Sequence, residues 1–367
     1  MKVVFTGGGT GGHIYPALSL WHYMQSQPGA WEAHYIGTRE GLEQSIVGKT
    51  DIPFEEVEAA GLRRQVSLSA LRTLVKTARG YFQAKRLLKQ WKPDVVVGTG
   101  GFVTLPVIFA AHALRIPSVV WEGNARPGLT NQLCARRTNA VAISFEGSER
   151  FFSKAKRVVL TGNPRGSEVL QIDTRAKREA LDNYRILRDQ KVVLIFTGSR
   201  GSESVNDVIT KLLPRFAEHD DWRVIFVTGE RHYDQIAASL HDLPRHVTVH
   251  PFLYDMPSLL PHVDLVISRA GSSTLAEVCS LGIASILIPS PYVTANHQEE
   301  NAKRLVDKGA ASMIREADLT EDRLWEAIET RMHDDALSEM KACAKANGMP
   351  DAVNRFYQIV QEVARKK

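Results

Sequence analysis

Short apolar runs rich in β-branched residues alternate with helix-length stretches along the whole chain. In the first half, these runs predict strands at residues 2–5, 33–36, 94–98, 118–121, 140–143 and 158–161. In the second half, they predict strands at residues 192–197, 223–227, 247–250, 265–268 and 285–289. Strands this apolar, separated by helices, indicate parallel sheets that are covered on both faces. The predicted fold class is therefore α/β.

The two halves of the chain also resemble each other, which predicts two doubly wound, Rossmann-like domains. The first predicted strand of each half runs into a glycine loop, as VVFTGG in the first half and LIFTGS in the second. The series of strands restarts after Gly162, Asn163 and Pro164, which are residue types typical of turns. Ligands of such sheets bind at the carboxyl ends of the strands, so the glycine loops are expected to face a cleft. The expected parts are residues 1–162, residues 163–346, and a C-terminal helix in residues 347–367 that packs back on the first domain.

The first glycine loop has the spacing G-x-G-x-x-G through Gly7, Gly9 and Gly12. Backbone N–H groups that no side chain covers, next to a helix N-terminus, favour an anionic or polar ligand. A dinucleotide site also requires an acidic residue at the end of the second strand, where this chain has Arg39 instead. An arginine at this position could instead contact the 2′-phosphate of NADP(H). An NAD(P)-dependent oxidoreductase is therefore an alternative that rests on this loop and Arg39 alone.

His13 directly follows this loop, at the start of the predicted helix. The positive end of the helix dipole disfavours imidazolium there, so we expect a neutral imidazole that can accept a proton. A histidine that only caps the turn is the alternative for this position taken alone.

A second loop, at residues 268–277, predicts a more specific chemistry. Ser272, Ser273 and Thr274 place hydroxyls beside the N–H groups of a helix N-terminus, which suits a diphosphate. Glu277 shares their helix face, where its carboxylate can accept hydrogen bonds from two ribose hydroxyls. In the alternative, the helix is simply N-capped and Glu277 pairs with Arg269, which leaves the small polar residues unexplained. The nucleotide interpretation is preferred.

Positive charge is concentrated in the first half of the chain. Residues 1–160 hold 20 Lys and Arg against 11 Asp and Glu, and residues 61–92 hold nine basic residues and no acidic one. A helix is predicted from residue 68, and Gly80 is expected to end or bend it. Its apolar face comprises Leu68, Leu71, Val75, Ala78 and Phe82. The basic stripe beside that face comprises Arg72, Lys76 and Arg79.

The basic helix predicts that residues 68–92 rest on an anionic membrane surface. In the alternative, its apolar face packs on the sheet of the first domain and the basic residues are only solvated. Nucleic acid is not expected as a partner, because the chain has neither zinc-finger spacing nor the aromatic motif of RNA-binding sheets.

The remaining composition predicts a cytoplasmic protein that does not span a membrane. The N-terminus MKVVFTGGGT lacks the apolar stretch of a signal peptide, and the longest uncharged run, residues 95–114, is interrupted by glycine and proline. The three cysteines stand at wide spacings, and no D-x-D sequence is present. We therefore expect neither a metal nor another cofactor.

Several of these motifs occur together in one order. They are Thr10 to His13, Glu122 to Asn124 with residues 128–131, Gly162 to Pro164, Gly198 with Ser199, residues 269–277, and Gln298. In this combination the chain resembles the bacterial enzymes that add N-acetylglucosamine to undecaprenyl-diphospho-muramoyl-pentapeptide in peptidoglycan synthesis. The resemblance covers essentially the whole chain. It implies the two-domain GT-B architecture, UDP-N-acetylglucosamine as donor, an inverting transfer that forms a β-1,4 bond, and peripheral attachment at the cytoplasmic face of the cell membrane.

The resemblance also implies roles for individual residues. Those near the donor sugar and diphosphate would be Thr10, Gly11, Gly12, Asn124, Ser199 and Gln298. Leu253 would present its backbone to uracil. The diphosphate and ribose would be held by Ser272, Ser273, Thr274, Leu275, Ala276 and Glu277. Arg165 departs from the pattern, because it directly follows Pro164 whereas some members have arginine one position later.

Inverting transfer needs a base for the acceptor 4-hydroxyl and stabilisation of the departing UDP. His13 is the first candidate for the base, and Glu122, which follows the predicted strand 118–121, is the second. Helix N–H groups together with Arg269 would stabilise the charge of the leaving group without a metal. Another GT-B enzyme that glycosylates a lipid, such as diacylglycerol, would share the nucleotide motif and is the nearest alternative.

Overall fold

The computed structural model describes residues 1–39, 41–61, 68–198 and 201–365, and for residues 68–72 it describes the backbone only. The chain forms two compact units. The first unit comprises Met1–Arg165 with Asp351–Lys367, and the second comprises Gly166–Pro350. These boundaries lie three and four residues beyond those expected after residues 162 and 346.

The first unit contains a seven-stranded sheet in which every neighbouring pair is parallel. Its strands are β1 (Lys2–Gly7), β2 (Glu32–Gly37), β3 (Phe54–Glu56), β4 (Val95–Gly100), β5 (Ser118–Glu122), β6 (Ala140–Ile143) and β7 (Val158–Leu160). Their order across the sheet is β3-β2-β1-β4-β5-β6-β7.

The second unit repeats this arrangement with six parallel strands. They are β8 (Lys191–Phe196), β9 (Trp222–Val227), β10 (Val247–His250), β11 (Leu265–Ser268), β12 (Ala284–Leu287) and β13 (Ser312–Met313). Their order is β10-β9-β8-β11-β12-β13, so the first strand of each unit lies centrally and the chain winds outwards in both directions. The sequence did not predict β3 and β13, because β3 has the sequence FEE with one apolar residue and β13 has only two residues.

Helices connect the strands. In chain order they are α1 (Gly11–Ser26), α2 (Leu42–Val47), α3 (Leu68–Trp91), α4 (Thr104–Ala113), α5 (Leu129–Ala135), α6 (Pro164–Glu168), α7 (Thr174–Asn183), α8 (Glu203–Leu212), α9 (Glu230–Ser239), α10 (Met256–Leu259), α11 (Ser272–Leu281), α12 (His297–Val306), α13 (Glu321–Met332), α14 (Asp334–Ala346) and α15 (Ala352–Arg365). Short 3₁₀ helices lie at Ser148–Phe152, Val169–Gln171, Leu213–Glu218, Leu260–His262, Thr294–Asn296 and Glu316–Asp318. The predicted α/β fold with two doubly wound domains is confirmed.

Both faces of the first sheet are buried, as its apolar strands predict. Successive residues of a strand point to opposite faces. Val3 and Phe5 therefore pack in one core with α1 and α15, whereas Val4 packs in the other with α3 and α4. The C-terminal helix contributes Phe356, whose ring lies 6.5 Å from that of Trp121 between ring centroids. The last helix of the chain is thus part of the core of the first unit.

Helix α3 does not end at Gly80, so the prediction that this glycine ends the helix was wrong: the helix continues for eleven residues to Trp91. Gly80 is buried, and a Cβ added there would lie under 3.0 Å from the carbonyl oxygen of Glu58. The glycine therefore allows the helix to approach the segment after β3 closely, rather than interrupting the helix.

The strand order brings two loops together in each unit. In the first unit β1 and β4 are neighbours, and Gly7 lies opposite Gly100 in the register. In the second unit β8 and β11 are neighbours, and Ser268 lies opposite Phe196. These are the points at which the direction of winding reverses, where open α/β sheets bind their ligands.

Candidate active site

The loop between β1 and α1 is tied to the end of β4. The N–H of Gly8 donates a hydrogen bond to the carbonyl oxygen of Gly100 over 3.1 Å. Thr10 is the N-cap of α1, although its side chain makes no capping hydrogen bond, and Gly11 and Gly12 form the first positions of the helix. The structure thus places these predicted donor-binding residues at a helix N-terminus.

His13 lies in the first turn of α1 with a defined ring orientation. Its Nδ1 is 3.0 Å from the carbonyl oxygen of Gly8 and 3.4 Å from Oγ1 of Thr10. A carbonyl oxygen can only accept, so Nδ1 carries a proton, and in the neutral form of the ring Nε2 is then the acceptor nitrogen. The ring packs on Gly100, where an added Cβ would lie 2.7 Å from its Cδ2. The orientation and the tautomer are those that a general base requires.

Glu122 ends β5 and is only 3% exposed. Its Oε1 accepts hydrogen bonds from the backbone and side-chain amides of Asn124, at 2.9 and 3.2 Å. Its Oε2 accepts hydrogen bonds from the N–H of Gly128 at 3.2 Å and from Nδ2 of Asn131 at 2.9 Å. The carboxylate therefore connects β5 to the loop that follows it and to α5.

These contacts distinguish the two candidates for the base. Burial raises the pKa of Glu122, while hydrogen bonds from Asn124, Asn131 and Gly128 act in the opposite direction. A carboxylate has about four lone-pair sites, and four donors already occupy them here. Glu122 thus holds Asn124 in place, and the ranking of His13 before Glu122 as the base stays a prediction.

In the second unit, the first turn of α11 presents hydrogen-bond donors. Gly271 is the N-cap, and the helical ladder starts with the bond from Leu275 N–H to the Gly271 carbonyl over 3.0 Å. The N–H groups of Ser272, Ser273 and Thr274 precede that ladder. The hydroxyl of Ser273 is buried and has no hydrogen-bond partner in the described part of the chain. This turn has the chemistry expected of a diphosphate site.

The other residues of this run lie further along α11. Glu277 is 9% exposed and one helical turn beyond Ser273. Leu275 is buried and its N–H is used within the helix, so neither its side chain nor its N–H is available to a diphosphate. Ala276 is partly buried and lies on the same turn. The contacts predicted for these three residues stay predictions, and Glu277 is the one of the three whose side chain can accept hydrogen bonds from a ribose.

Arg269 is held by protein groups at the end of β11. Its Nη1 is 2.6 Å from Oε2 of Glu316 and donates to the carbonyl of Ile288 at 3.0 Å, and its Nη2 donates to Oγ of Ser202 at 2.6 Å. The contact with Glu316 has the distance of an ion pair without the alignment of a hydrogen bond. Because Glu316 balances the charge of Arg269, the geometry argues against the predicted role in stabilising a diphosphate.

Two further predicted residues lie in the second unit. Gln298 follows the N-terminus of α12, and its Oε1 accepts a hydrogen bond from Ser290 N–H at 2.9 Å, which fixes the orientation of the carboxamide. Leu253 follows β10 and is buried, so a contact with uracil would use its backbone, as expected. The predicted contact of Ser199 lies outside the described residues.

Arg165 belongs to the first unit. Its N–H donates to Oδ1 of Asn163 at 3.1 Å, and its guanidinium carbon lies 5.5 Å from the centre of the Tyr15 ring. The arginine thus stacks on a half-exposed aromatic side chain of α1.

The described part of α3 exposes apolar side chains. Phe82 is 66% exposed, Leu74 60% and Val75 45%. Lys76 and Arg79 are exposed on the same helix, and Arg79 lies 3.7 Å from the Glu58 carboxylate. The sheet-packing alternative is wrong for Val75 and Phe82, because the helix packs on the unit through Ala84 and Leu88 instead. The side chains of Leu68, Leu71 and Arg72 lie outside the described residues.

Two carboxylates contribute to these loops that the sequence did not indicate. Glu316 pairs with Arg269 from far along the chain, and Glu43 lies under the first glycine loop. Neither belongs to a local motif, so no spacing in the sequence could have revealed them.

Within residues 1–39, 41–61, 68–198 and 201–365, no group of three or more His, Cys, Asp and Glu side chains is arranged to hold a metal ion. None of the helices that the structure describes combines the length and apolar character needed to cross a membrane.

Known protein families, sequences and structures resemble this chain over most or all of its length. The model of the glycosyltransferase family 28 N-terminal domain matches residues 3–143, and that of the family 28 C-terminal domain matches residues 192–356. Two relatives bear the name UDP-N-acetylglucosamine--N-acetylmuramyl-(pentapeptide) pyrophosphoryl-undecaprenol N-acetylglucosamine transferase. The one from Halalkalibacterium halodurans is 45% identical and the one from Listeria monocytogenes 44%, each over 368 residues and all of both chains. The crystal structure of Acinetobacter baumannii MurG is similar with a TM-score of 0.79 and 28% identity, over 98% of this chain and 99% of that one.

Proposed function

This chain belongs to glycosyltransferase family 28, and from that premise we propose that it transfers N-acetylglucosamine from UDP-N-acetylglucosamine to the 4-hydroxyl of the muramoyl sugar in undecaprenyl-diphospho-muramoyl-pentapeptide. The observation that carries the proposal is the 44–45% identity, over the whole chain, to transferases whose names state this donor and acceptor. The transfer inverts the anomeric carbon and forms a β-1,4 bond of a peptidoglycan precursor.

The second unit binds the donor. The N–H groups at the start of α11 and the buried hydroxyl of Ser273 receive the diphosphate, and the helix dipole favours its negative charge. Glu277, one turn further on, accepts hydrogen bonds from the ribose hydroxyls. The fixed carboxamide of Gln298 contacts the sugar.

The first unit supplies the base. The acceptor oxygen forms its bond to the anomeric carbon while the bond from that carbon to the diphosphate oxygen breaks. Nε2 of His13 takes the hydroxyl proton, and UDP leaves with the electron pair of the broken bond. A positioned base contributes roughly 10²–10⁴-fold to such a step. The N-terminus of α11 stabilises the charge that develops on the departing diphosphate.

A transfer assay with purified protein tests the function. It uses UDP-N-acetylglucosamine with either the undecaprenyl-diphosphate-linked acceptor or diacylglycerol, and product is detected by mass spectrometry. Product from the first acceptor alone is expected. Product from diacylglycerol alone would favour the lipid glycosyltransferase. In a parallel reaction that contains NAD(P)H, a fall in NAD(P)H absorbance without sugar transfer would favour the oxidoreductase.

The donor site is tested by Glu277→Ala. Loss of two hydrogen bonds to a charged acceptor, each worth roughly 1.5–3 kcal/mol, should weaken UDP binding more than tenfold in calorimetry. Glu326→Ala, which removes an exposed glutamate of α13 in the same unit, is the matched control and should bind UDP normally. Unchanged UDP affinity in Glu277→Ala would disprove the ribose contact.

We also propose that the exposed face of α3 rests on the cytoplasmic face of the membrane, where a lipid-linked acceptor is found. The support is the exposed Leu74, Val75 and Phe82 beside Lys76 and Arg79. Each basic residue near an anionic leaflet contributes about 1 kcal/mol, and salt screens this attraction within about 8–10 Å. The protein should therefore sediment with anionic vesicles at low salt, be released at high salt, and not bind neutral vesicles.

The variant Lys76→Glu/Arg79→Glu tests this surface, because it should abolish sedimentation while UDP binding persists. Arg178→Glu/Arg188→Glu makes the same change of charge at exposed positions of the second unit and should sediment like the wild type. If both variants sediment normally, membrane binding does not occur through α3.

A further inference from the structure

The carboxylate of Glu43 is completely buried beneath the first glycine loop. The residue lies at the start of α2, and the helix end alone does not explain its burial. Ionisable side chains are rarely buried this completely unless other groups satisfy them. The hydrogen-bond partners of its carboxylate explain this burial.

Three donors face the two oxygens of Glu43. Oε2 accepts a hydrogen bond from the backbone N–H of Gly9 at 3.0 Å. Oε1 accepts hydrogen bonds from the N–H of Thr38 at 3.0 Å and from its Oγ1 at 2.6 Å. Both carboxylate oxygens therefore act as acceptors, one towards the glycine loop and the other towards Thr38.

Glycines make the space that this carboxylate occupies. A Cβ added at Gly8, Gly37 or Gly41 would lie under 3.0 Å from side-chain atoms of Glu43. Any larger residue at these positions would displace the carboxylate. The glycine loop and Glu43 are therefore built around each other, which a simple strand-to-helix turn does not require.

A single peptide group connects Glu43 to His13. The peptide between Gly8 and Gly9 contributes the N–H that Glu43 binds and the carbonyl oxygen that lies 3.0 Å from His13 Nδ1. The described chain has no cis peptide bond, so this N–H and carbonyl point in opposite directions in one rigid plane. Binding the N–H on one side fixes the direction of the carbonyl on the other. Consecutive hydrogen bonds of this kind also polarise one another.

We propose that Glu43 is a positioning residue, which acts through the Gly8–Gly9 peptide to hold His13 in the tautomer with the proton on Nδ1 and the acceptor lone pair on Nε2. The part concerning catalysis rests on the proposed function, and the part concerning the tautomer does not. Glu43 touches neither substrate nor the reacting atoms in this proposal.

The test is Glu43→Gln in the full chain, because an amide keeps the shape but turns one NH₂ group towards a backbone donor. Two-bond ¹H–¹⁵N spectra of the His13 ring should show the Nδ1–H tautomer in the wild type and a mixture in the variant. The kcat should fall about 10–100-fold, as misplaced catalytic groups do, with KM for UDP-N-acetylglucosamine unchanged. Glu56→Gln is the matched control, because Glu56 is exposed and accepts from Gln44 of the same helix α2. It should change neither readout.

If the His13 ring of Glu43→Gln shows the same tautomer as that of the wild type, the proposal is overturned. If Glu43→Gln does not fold, the wild type alone still decides: the Gly9 amide must exchange much more slowly than that of the exposed Gly12, and equal rates overturn the proposal. If the wild type transfers no sugar but Glu43→Gln changes the tautomer, the proposed function fails and the positioning role stands. If the wild type transfers sugar and the tautomer does not change, only the positioning role fails.

Discussion

Arg269 and Glu316 form a buried ion pair in the second unit, with Nη1 and Oε2 2.6 Å apart and about a tenth of each side chain exposed. Arg269→Met would leave the Glu316 carboxylate buried without its cation. We expect the free energy of unfolding to fall by about 3–5 kcal/mol, while the folded variant binds UDP like the wild type. Urea denaturation and calorimetry measure the two quantities.

The control for this prediction is Arg323→Met. That arginine lies 3.9 Å from Asp318 and is 55% exposed, so its loss should cost at most about 1 kcal/mol. A large loss of UDP affinity in Arg269→Met at unchanged stability would instead support the predicted contact of Arg269 with the diphosphate.

His13→Ala should lower kcat at least about a hundredfold with little effect on UDP affinity, because a base acts mainly in the transition state. His22→Ala removes an exposed histidine from the same helix α1 and should be close to normal in both. A nearly normal kcat in His13→Ala, together with an inactive Glu122→Gln, would transfer the role of base to Glu122.

Glu122→Gln should act first on stability. An amide in place of the carboxylate turns an NH₂ group towards the donors of Asn124, Gly128 or Asn131. The unfolding free energy should fall by about 1–3 kcal/mol, and amide exchange in the loop at residues 123–128 should accelerate. Glu149→Gln, at an exposed position of the same unit, should show neither effect. Unchanged loop exchange would mean that these hydrogen bonds do not hold the loop.

Gly80→Ala separates helix propensity from packing. Propensity alone predicts that alanine stabilises α3 by about 1 kcal/mol. The new Cβ would meet the carbonyl of Glu58, and overpacking of this kind costs typically 1–3 kcal/mol, so the net change should be destabilising. Ala78→Gly, at an exposed position of the same helix, should cost about 0.5–1 kcal/mol from propensity alone. A thermal melt in which Gly80→Ala is more stable than the wild type contradicts the packing.

Glu299 should make the free energy of unfolding decrease as the pH falls into the acidic range. Hydrogen bonds from Asn296 and Lys303, with a further one from Arg315, lower its pKa from 4.5 to about 2. The folded state therefore binds fewer protons than the unfolded state between these values. The contribution is complete above pH 4.5 and is lost as the pH falls towards 2.

Glu299→Gln should accordingly be less stable than the wild type at pH 7, and the difference should shrink below pH 4.5. Urea denaturation at a series of pH values measures this, with Glu326→Gln as the exposed control. A difference that does not depend on pH would show that Glu299 is not held as an ion in the folded state.

The sequence by itself determined the fold class and the position of the loops. Apolar runs with β-branched residues indicate buried parallel strands, and glycine at their ends indicates where the backbone can approach a ligand. Both signals are local, since they depend on residues a few positions apart. The same holds for the first turn of α11, where Ser272, Ser273 and Thr274 have the expected chemistry.

Only the tertiary structure showed which groups hold the candidate charged side chains. Glu122, the second candidate for the base, accepts four hydrogen bonds from the following loop and from α5. Arg269 was assigned to the diphosphate, but Glu316, remote in sequence, balances its charge. The sequence predicts that Gly80 ends or bends α3, and its close approach to the carbonyl of Glu58 became visible only in the packing of the helix. Partners of this kind meet only through the order of strands and the packing of helices, and no local pattern of residues encodes that proximity.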